Sequence, residues 1–339
     1  AKLALELSVL PEPLERIHDR VKANGMTIDE LREKLGNLVS KGTILGPTVL
    51  REKDGKDRYA LAQFAIGMFE LQAGKLEKEY FIDAYEYIHG TFYKEMCRTD
   101  RPYQLRTIPI AKSISHMHQV NPYDDVRQLV ENSQGPISLI DCICKSGNDL
   151  VGGSCAKTNE RKTCIQFGGT AKFFIEQGSG LEITKQKMFE LLEEFEEAGL
   201  VLQPSNSQAP EFMCACCSDC CLALHNVKRF PRPAEFYDLN YQAMVNSETC
   251  QSCGTCVERC QMEAISLIDD VAVVDLDRCL GCGLCVSRCP SGSIQLQKTG
   301  IDYVPPKTFL DTLQKIMIKK AGIVGGLKVL GKMILGRKV

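Results

Sequence analysis

The sequence lacks several features that would assign a class. It has no tryptophan and no excess of charge of either sign: 41 Lys and Arg face 43 Asp and Glu, a formal net charge of −2. A balance this even excludes a general nucleic-acid binder that works by phosphate neutralisation. At 44% apolar residues the chain is too hydrophobic to be disordered. No run of about 18 apolar residues occurs, so no transmembrane helix is expected. The first residues, Ala1-Lys2-Leu3-Ala4-Leu5-Glu6, lack the charged segment, apolar stretch and small-residue cleavage site of a secretory leader. The expected location is therefore the cytoplasm. The glycine pairs at Gly152-Gly153 and Gly168-Gly169 match neither a dinucleotide-binding nor a P-loop pattern.

What is abundant is cysteine, 18 in 339 residues. In a reducing compartment that number argues for metal rather than for a disulfide framework. The distribution is uneven. Cys97 stands alone before residue 142, nine cysteines follow between 142 and 221, and eight lie between 250 and 289. Cys97 ends an amphipathic segment and reads as a buried apolar residue. The spacing divides the chain into a winged-helix-like domain (1–110), a Cys-rich helical central domain (111–245), a two-cluster domain (246–300) and a basic tail (301–339). The fold class expected is α+β.

In the first region, Leu14, Ile17 and Val21 recur at helical spacing, and Thr27-x-x-Glu30 is a capping box opening a second helix. A third short helix is expected around Leu38 and Val39, then strands over 43–50 and 58–62 joined at Asp54-Gly55. Two further helices are expected over about 63–73 and 76–97. Residues 1–110 carry 17 basic and 17 acidic groups, and Lys34 and Lys41 are the basic residues of the segment that would read DNA. A protein-docking or scaffold role follows, and nucleic acid is not expected. In the central region, helices are expected through Val126 and Val130 and, capped by Thr184, through Met188 to Phe195. A strand is expected over 136–141 and an extended exit at 200–202.

The strongest motif is a repeat. Cys250-x2-Cys253-x2-Cys256-x3-Cys260 is followed by Cys279-x2-Cys282-x2-Cys285-x3-Cys289-Pro290. Three cysteines two residues apart place their sulfurs on one side of a tight loop, and the fourth points to the other site. The expected sets are Cys250, Cys253, Cys256 and Cys289 for one [4Fe–4S] cluster, and Cys279, Cys282, Cys285 and Cys260 for the other. Gly254, Gly281 and Gly283 let backbone N–H groups approach the sulfurs. Each motif is followed by a turn and a strand, at 262–267 and 291–296, with a middle strand at 271–275. Gln261 stands where proline often follows the fourth cysteine. Residues 247–298 resemble the dicluster ferredoxin domain. The wider chain resembles large ferredoxin-type proteins of strict anaerobes that carry an N-terminal extension and extra cysteine clusters.

The other nine cysteines read as one set of four (Cys142, Cys144, Cys155, Cys164) and one of five (Cys214, Cys216, Cys217, Cys220, Cys221), with a mixed alternative in which Cys142 and Cys144 face Cys220 and Cys221. They could hold one or two further [4Fe–4S] clusters or zinc, or be reactive thiols in vicinal pairs. His116 and His118 are weaker ligand candidates, and Arg161 and Lys162 could offset cluster charge. The tail carries Lys315, Lys319, Lys320, Lys328, Lys332, Arg337 and Lys338 between apolar residues and no acidic group from 312 onward. It could dock in a partner's groove, lie on the inner face of a membrane, or pack on the body. The expected function is single-electron transfer as a ferredoxin-type subunit or carrier of a larger anaerobic oxidoreductase, with no catalytic residues of its own. The ferredoxin segment's seven acidic groups (Glu248, Glu258, Glu263, Asp269, Asp270, Asp275, Asp277) suit a basic redox partner. Two alternatives are a redox-sensing winged-helix regulator and an enzyme with a special cluster in residues 142–221.

Overall fold

A computed structural model describes residues 2–50, 54–97, 102–115, 117, 119–335 and 337–338. The side chains of Cys97 and of residues 96, 323, 324, 329, 330, 333 and 334 lie outside the described set, as do His116 and His118.

The N-terminal region contains β1 (Glu12–Pro13), α1 (Leu14–Val21), α2 (Ile28–Ser40), β2 (Ile44–Leu45), α3 (Pro47–Leu50) and β3 (Arg58–Leu61). Thr27 and Glu30 form the expected reciprocal cap of α2, with Glu30 N–H donating to Thr27 Oγ1 at 3.2 Å and Thr27 N–H to Glu30 Oε2 at 2.9 Å. Leu38 and Val39 do not start a third helix but belong to α2. The chain turns at Gly42, whose φ is +70° and where a Cβ would lie 2.7 Å from the Leu71 carbonyl oxygen. The strand expected over 43–50 is only two residues long, because Pro47 sets the dihedral of a helical first turn and α3 begins there. The three short strands pair antiparallel in the order β1-β3-β2 over a small core of Leu14, Ile17, Leu31, Leu35, Ile44 and Tyr59.

The helix expected over 63–73 is also absent. The backbone leaves helical geometry at Ala65–Gly67, and only a single 3-10 turn, Glu70–Gln72, follows. Tertiary bonds override local propensity here: Gln104 Oε1 accepts from the Ile66 N–H at 3.0 Å, and Gln63 Nε2 donates to the Ile66 carbonyl at 2.9 Å. The next helical stretch consists of α4 (Lys78–Tyr87), a wide turn and α5 (Tyr93–Cys97).

The central region is not a helical scaffold. After α6 (Ala111–Ile114) and α7 (Val126–Asn132) come β4 (Ile137–Ile140), α8 (Ile143–Leu150), β5 (Cys164–Phe167), α9 (Gly168–Glu176), β6 (Leu181–Ile183), α10 (Lys185–Glu197), β7 (Val201–Pro204), β8 (Phe212–Cys216) and α11 (Leu222–Lys228). The strands make one antiparallel sheet in the order β6-β4-β5-β8-β7. β4 and β7 fall where extended segments are expected, at 136–141 and 200–202, whereas β5 and β8, buried along their length, show no polar alternation, which hides them from a periodicity reading. Three cysteines that read as loop ligands, Cys164, Cys214 and Cys216, sit on these strands. Residues 105 and 108 bridge to 205 and 202, so the segment before 110 continues this sheet.

The C-terminal part contains β9 (Tyr241–Val245), α12 (Thr255–Arg259), β10 (Ile265–Ile268), β11 (Val271–Val274) and β12 (Ile294–Lys298). β10 pairs with β11, and β12 with β9, which lies on the central side of the expected 245/246 boundary. One continuous core joins this lobe to the central sheet, running from Ile108, Phe195 and Met213 to Ala243, Leu284 and Ile294. The tail forms α13 (Phe309–Ile334), broken at Gly322 with φ +65°. Its first turns pack on the body: Thr312 is buried and donates to the Asn206 carbonyl at 2.5 Å, and Phe309 meets Phe212 edge-on at 5.2 Å. Among the described residues, no helix is long and apolar enough to cross a membrane.

Candidate metal centres

The repeat folds as two loops that exchange their fourth cysteine. Cys250, Cys253, Cys256 and Cys289 surround one small cavity of about 20 Å³. Cys260, Cys279, Cys282 and Cys285 form the second group, close enough for each of the last three to feel its neighbours' charge. Cys285 also lies in the field of Cys256, which places the two groups side by side. The donor set suits iron–sulfur cubanes, because backbone N–H groups are aimed at the sulfurs. Ala264 N–H points at Cys260 Sγ (3.2 Å), Ala243 N–H at Cys279 Sγ (3.4 Å) and Ala272 N–H at Cys250 Sγ (3.5 Å). Burial alone would raise the Cys289 thiol, but the hydroxyls of Ser293 and Ser291 hold it down at about 7. Gly281 (φ +65°) leaves no room for a side chain, since a Cβ would sit 2.1 Å from the Tyr241 carbonyl oxygen. The loop glycine thus serves the close packing of loop on β9 as well as the sulfurs.

A family model described as a 4Fe-4S dicluster domain matches residues 243–296. This segment is a ferredoxin-like iron–sulfur domain. Neither the curated proteins nor the solved structures gave a match to the chain.

The nine central cysteines do not divide as their order along the chain implies. Cys155 leaves the set of four and meets Cys217 and Cys220, with Sγ–Sγ 3.4 Å between Cys155 and Cys217. The other six lie together on one wall as a run of neighbouring thiols, Cys142–Cys144–Cys221–Cys216–Cys214–Cys164, each perturbed by the next. In the mixed alternative, Cys221 joins Cys142 and Cys144 whereas Cys220 does not. Cys216 and Cys217 split because successive residues leaving extended backbone face opposite sides, and Cys220 and Cys221 split because the first lies in the turn and the second caps α11. Cys216 ends β8 facing the six-thiol group, and Cys217 faces away from it.

All six line one wall of a cavity of about 1590 Å³ between the N-terminal region, the central sheet and α13. The rest of that wall is mostly apolar, including Phe64, Phe69, Phe173 and Phe309. Gln166 Nε2 donates to Cys164 Sγ at 3.1 Å, and Gln203, fixed by the Tyr237 hydroxyl at 3.0 Å, points at Cys221 Sγ. Glu70, also on the wall, is raised to about 7 by burial.

The thiols of this group compete for protons. Cys142 is drawn down to about 6 by the Cys144 thiol, and Cys221 well below the usual thiol range by Cys144 and Cys216. Cys144, Cys214 and Cys216 are pushed well above it by the thiols they face. Six sulfurs can be thiolates together only if a cation takes the place of the shared protons. One buried cation is already present. Lys145 is 1% exposed, and its ammonium donates to Thr163 Oγ1 (2.6 Å) and the Ala215 carbonyl (3.1 Å). Burial alone would lower its pKa, but negative charge on the sulfurs of Cys142, Cys216, Cys217 and Cys155 would raise it above the usual lysine value. A buried ammonium among sulfurs fits an anionic metal–thiolate centre better than neutral thiols.

Three residues here take roles that the sequence does not assign to them. Lys145 looks like any solvent lysine on an amphipathic helix. Gln261, the departure from the ferredoxin pattern, is buried, accepts from Ser218 N–H (3.0 Å) and Oγ (3.1 Å), and donates to the Gly199 carbonyl (2.8 Å). It joins the turn after Cys260 to the turn after Cys217. Asp219 stands beside the three remaining cysteines. Arg161 and Lys162 are engaged by Asp149 and Asp141 at 2.6 and 3.0 Å, with Arg161 also in the field of Cys155 and Cys220.

Proposed function

We propose that this chain transfers single electrons between a redox partner and a thiolate-held metal centre on the wall of its central cavity. The observation that carries the reading is the arrangement of eight cysteines in two adjacent groups of four, inside a segment matched by a 4Fe-4S dicluster family model. Cys250, Cys253, Cys256 and Cys289 would hold one [4Fe–4S] cluster, and Cys279, Cys282, Cys285 and Cys260 the other. Clusters of this kind accept and release one electron at a time. Cys142, Cys144, Cys164, Cys214, Cys216 and Cys221 would hold a further iron–sulfur centre. The residues nearest solvent support docking at the ferredoxin lobe. Cys253 is exposed, and the lobe's Glu248, Glu258, Asp269, Asp270 and Asp275 are exposed as well, a surface suited to a basic patch of a larger oxidoreductase.

The cavity favours a second reading, an enzyme whose centre meets a small molecule there. A carrier has no use for a void of this size next to its metal ligands. The two readings separate by experiment on protein purified without oxygen. Iron and acid-labile sulfide are counted, and spectra of the reduced protein are recorded with and without cyanide. About eight irons per chain would confine the redox centres to the ferredoxin lobe and overturn the central centre. About twelve or more, with spectra unmoved by cyanide, is the result for a carrier. A third signal that cyanide shifts is the result for an enzyme.

A further inference from the structure

We infer that Cys155, Cys217, Cys220 and Asp219 form a mononuclear zinc site, separate from the six-thiol group, that pins the α8–β5 loop to the turn preceding α11.

The geometry separates a single ion from a cluster. The four ligand atoms all lie within 4.8 Å of one another, and two of the sulfurs are 3.4 Å apart. Ligands about 2.3 Å from one tetrahedral ion stand about 3.8 Å from each other. In a cubane each sulfur sits on its own iron, and the core between them holds the sulfurs farther apart. The cysteines of the ferredoxin lobe behave in that second way, standing around a cavity instead of converging.

The fourth ligand is prepared as a ligand should be. Ala156 N–H donates to Asp219 Oδ2 at 2.7 Å, which fixes the carboxylate on the side of Cys155. Asn148 Nδ2 points at Cys220 Sγ (3.6 Å) and also donates to the Ser154 carbonyl (3.3 Å), so one amide orients a sulfur and the loop together. Gly153 makes room for that amide: a Cβ there would lie 2.4 Å from Asn148 Oδ1. Three thiolates and a carboxylate carry four negative charges and zinc removes two, while Lys145 and Arg161 stand beside the sulfurs. Residues 151–163 contain no helix or strand, and a connection of that length in a compact domain needs an anchor.

The test uses the full chain purified anaerobically, with zinc and iron counted and the zinc K-edge spectrum recorded. The expected result is about one zinc per chain with three sulfur neighbours and one oxygen. Asp219→Ala should release zinc to a chromophoric chelator at least tenfold faster, and Asp219→Cys should retain it with four sulfur neighbours. Asp219 is exposed, so neither variant threatens the core. Absence of zinc, an all-sulfur shell in the unaltered protein, or release unchanged in Asp219→Ala would each overturn the assignment. So would loss of iron in Asp219→Ala with zinc retained, since that would make these residues cluster ligands. The ferredoxin signals, which test the electron-transfer reading, should be the same in all three proteins.

Discussion

Replacing Lys145 by methionine removes the buried charge between the thiol groups while keeping most of the side-chain volume. The ammonium is held by Thr163 and the Ala215 carbonyl, and its counter-charges are sulfurs. An electron arriving on a centre about 6 Å away gains about 3 kcal/mol from a unit positive charge at an effective dielectric of about 20. For a one-electron couple that is roughly 120 mV. The potential of the central centre should therefore fall by about 100 mV in Lys145→Met, because the reduced form loses its counter-ion. Lys145→Arg should recover most of the shift, and the two ferredoxin clusters should move far less. Potentiometric titration followed by electron paramagnetic resonance reads all three couples in one experiment, and an iron count shows whether the centre is still assembled. A central potential unchanged in Lys145→Met would refute the placement of a redox centre beside this lysine. An equal shift of the ferredoxin couples would do the same.

Other consequences concern stability. Arg106→Met should cost about 3–5 kcal/mol in urea unfolding, since it strands the buried Asp124 carboxylate that Arg106 meets at 2.8 Å. Burial raises the Asp124 carboxyl above its usual value, so its contribution is greatest at low pH and is lost as pH rises; the deficit of Arg106→Met should widen from about pH 4 to pH 7. Gln261→Leu leaves the Ser218 N–H and the Gly199 carbonyl without their partner and should cost about 1–3 kcal/mol by the same assay. It should also slow reduction of the central centre by the ferredoxin lobe in stopped-flow mixing. Gly147→Ala would place a Cβ 2.0 Å from Phe81 Cε2, and the overpacking between α8 and α4 should cost about 1–3 kcal/mol in urea unfolding.

The parts of this molecule that could be read from its sequence are those where one local rule operates alone. The reciprocal cap of α2 and the Thr184 cap of α10, with Lys187 N–H donating to Thr184 Oγ1 at 3.1 Å, need only neighbouring residues. The grouping of the eight cysteines into two sets could be read because the repeat encodes both the loop and the exchanged fourth cysteine. The central sheet could be read only in part: β4 and β7 overlap the expected extended segments at 136–141 and 200–202, but β5 and β8 are buried along their length, show no alternation, and carry their cysteines as wall residues. The sorting of nine thiols into six and three could not be read. Cys216 and Cys217 are adjacent, as are Cys220 and Cys221, yet each pair gives one sulfur to each group. Only the pleat of β8 and the turn into α11 decide which goes where.

The ferredoxin lobe is fixed against the central sheet by its own basic residues. Arg259 donates to the carbonyls of Glu196 and Glu197 at the end of α10, where cations are favoured by the helix dipole. Arg288 pairs with Glu197 at 3.1 Å, and Arg278 donates to the carbonyls of Met262, Phe230 and Lys228. Arg259 and Arg278 are thus half-buried against the body while Arg288 stays exposed beside Glu197, so two of the segment's four basic residues are drawn away from the surface that carries its acidic groups. Gln261, next in sequence to Cys260, reaches Ser218 with its amide, two residues from Cys216 on the cavity wall. A carrier that delivered electrons only to outside partners would need the acidic face alone. The buried glutamine that joins the two thiol systems supports the proposed transfer of electrons inward, from the exposed edge at Cys253 toward the cavity.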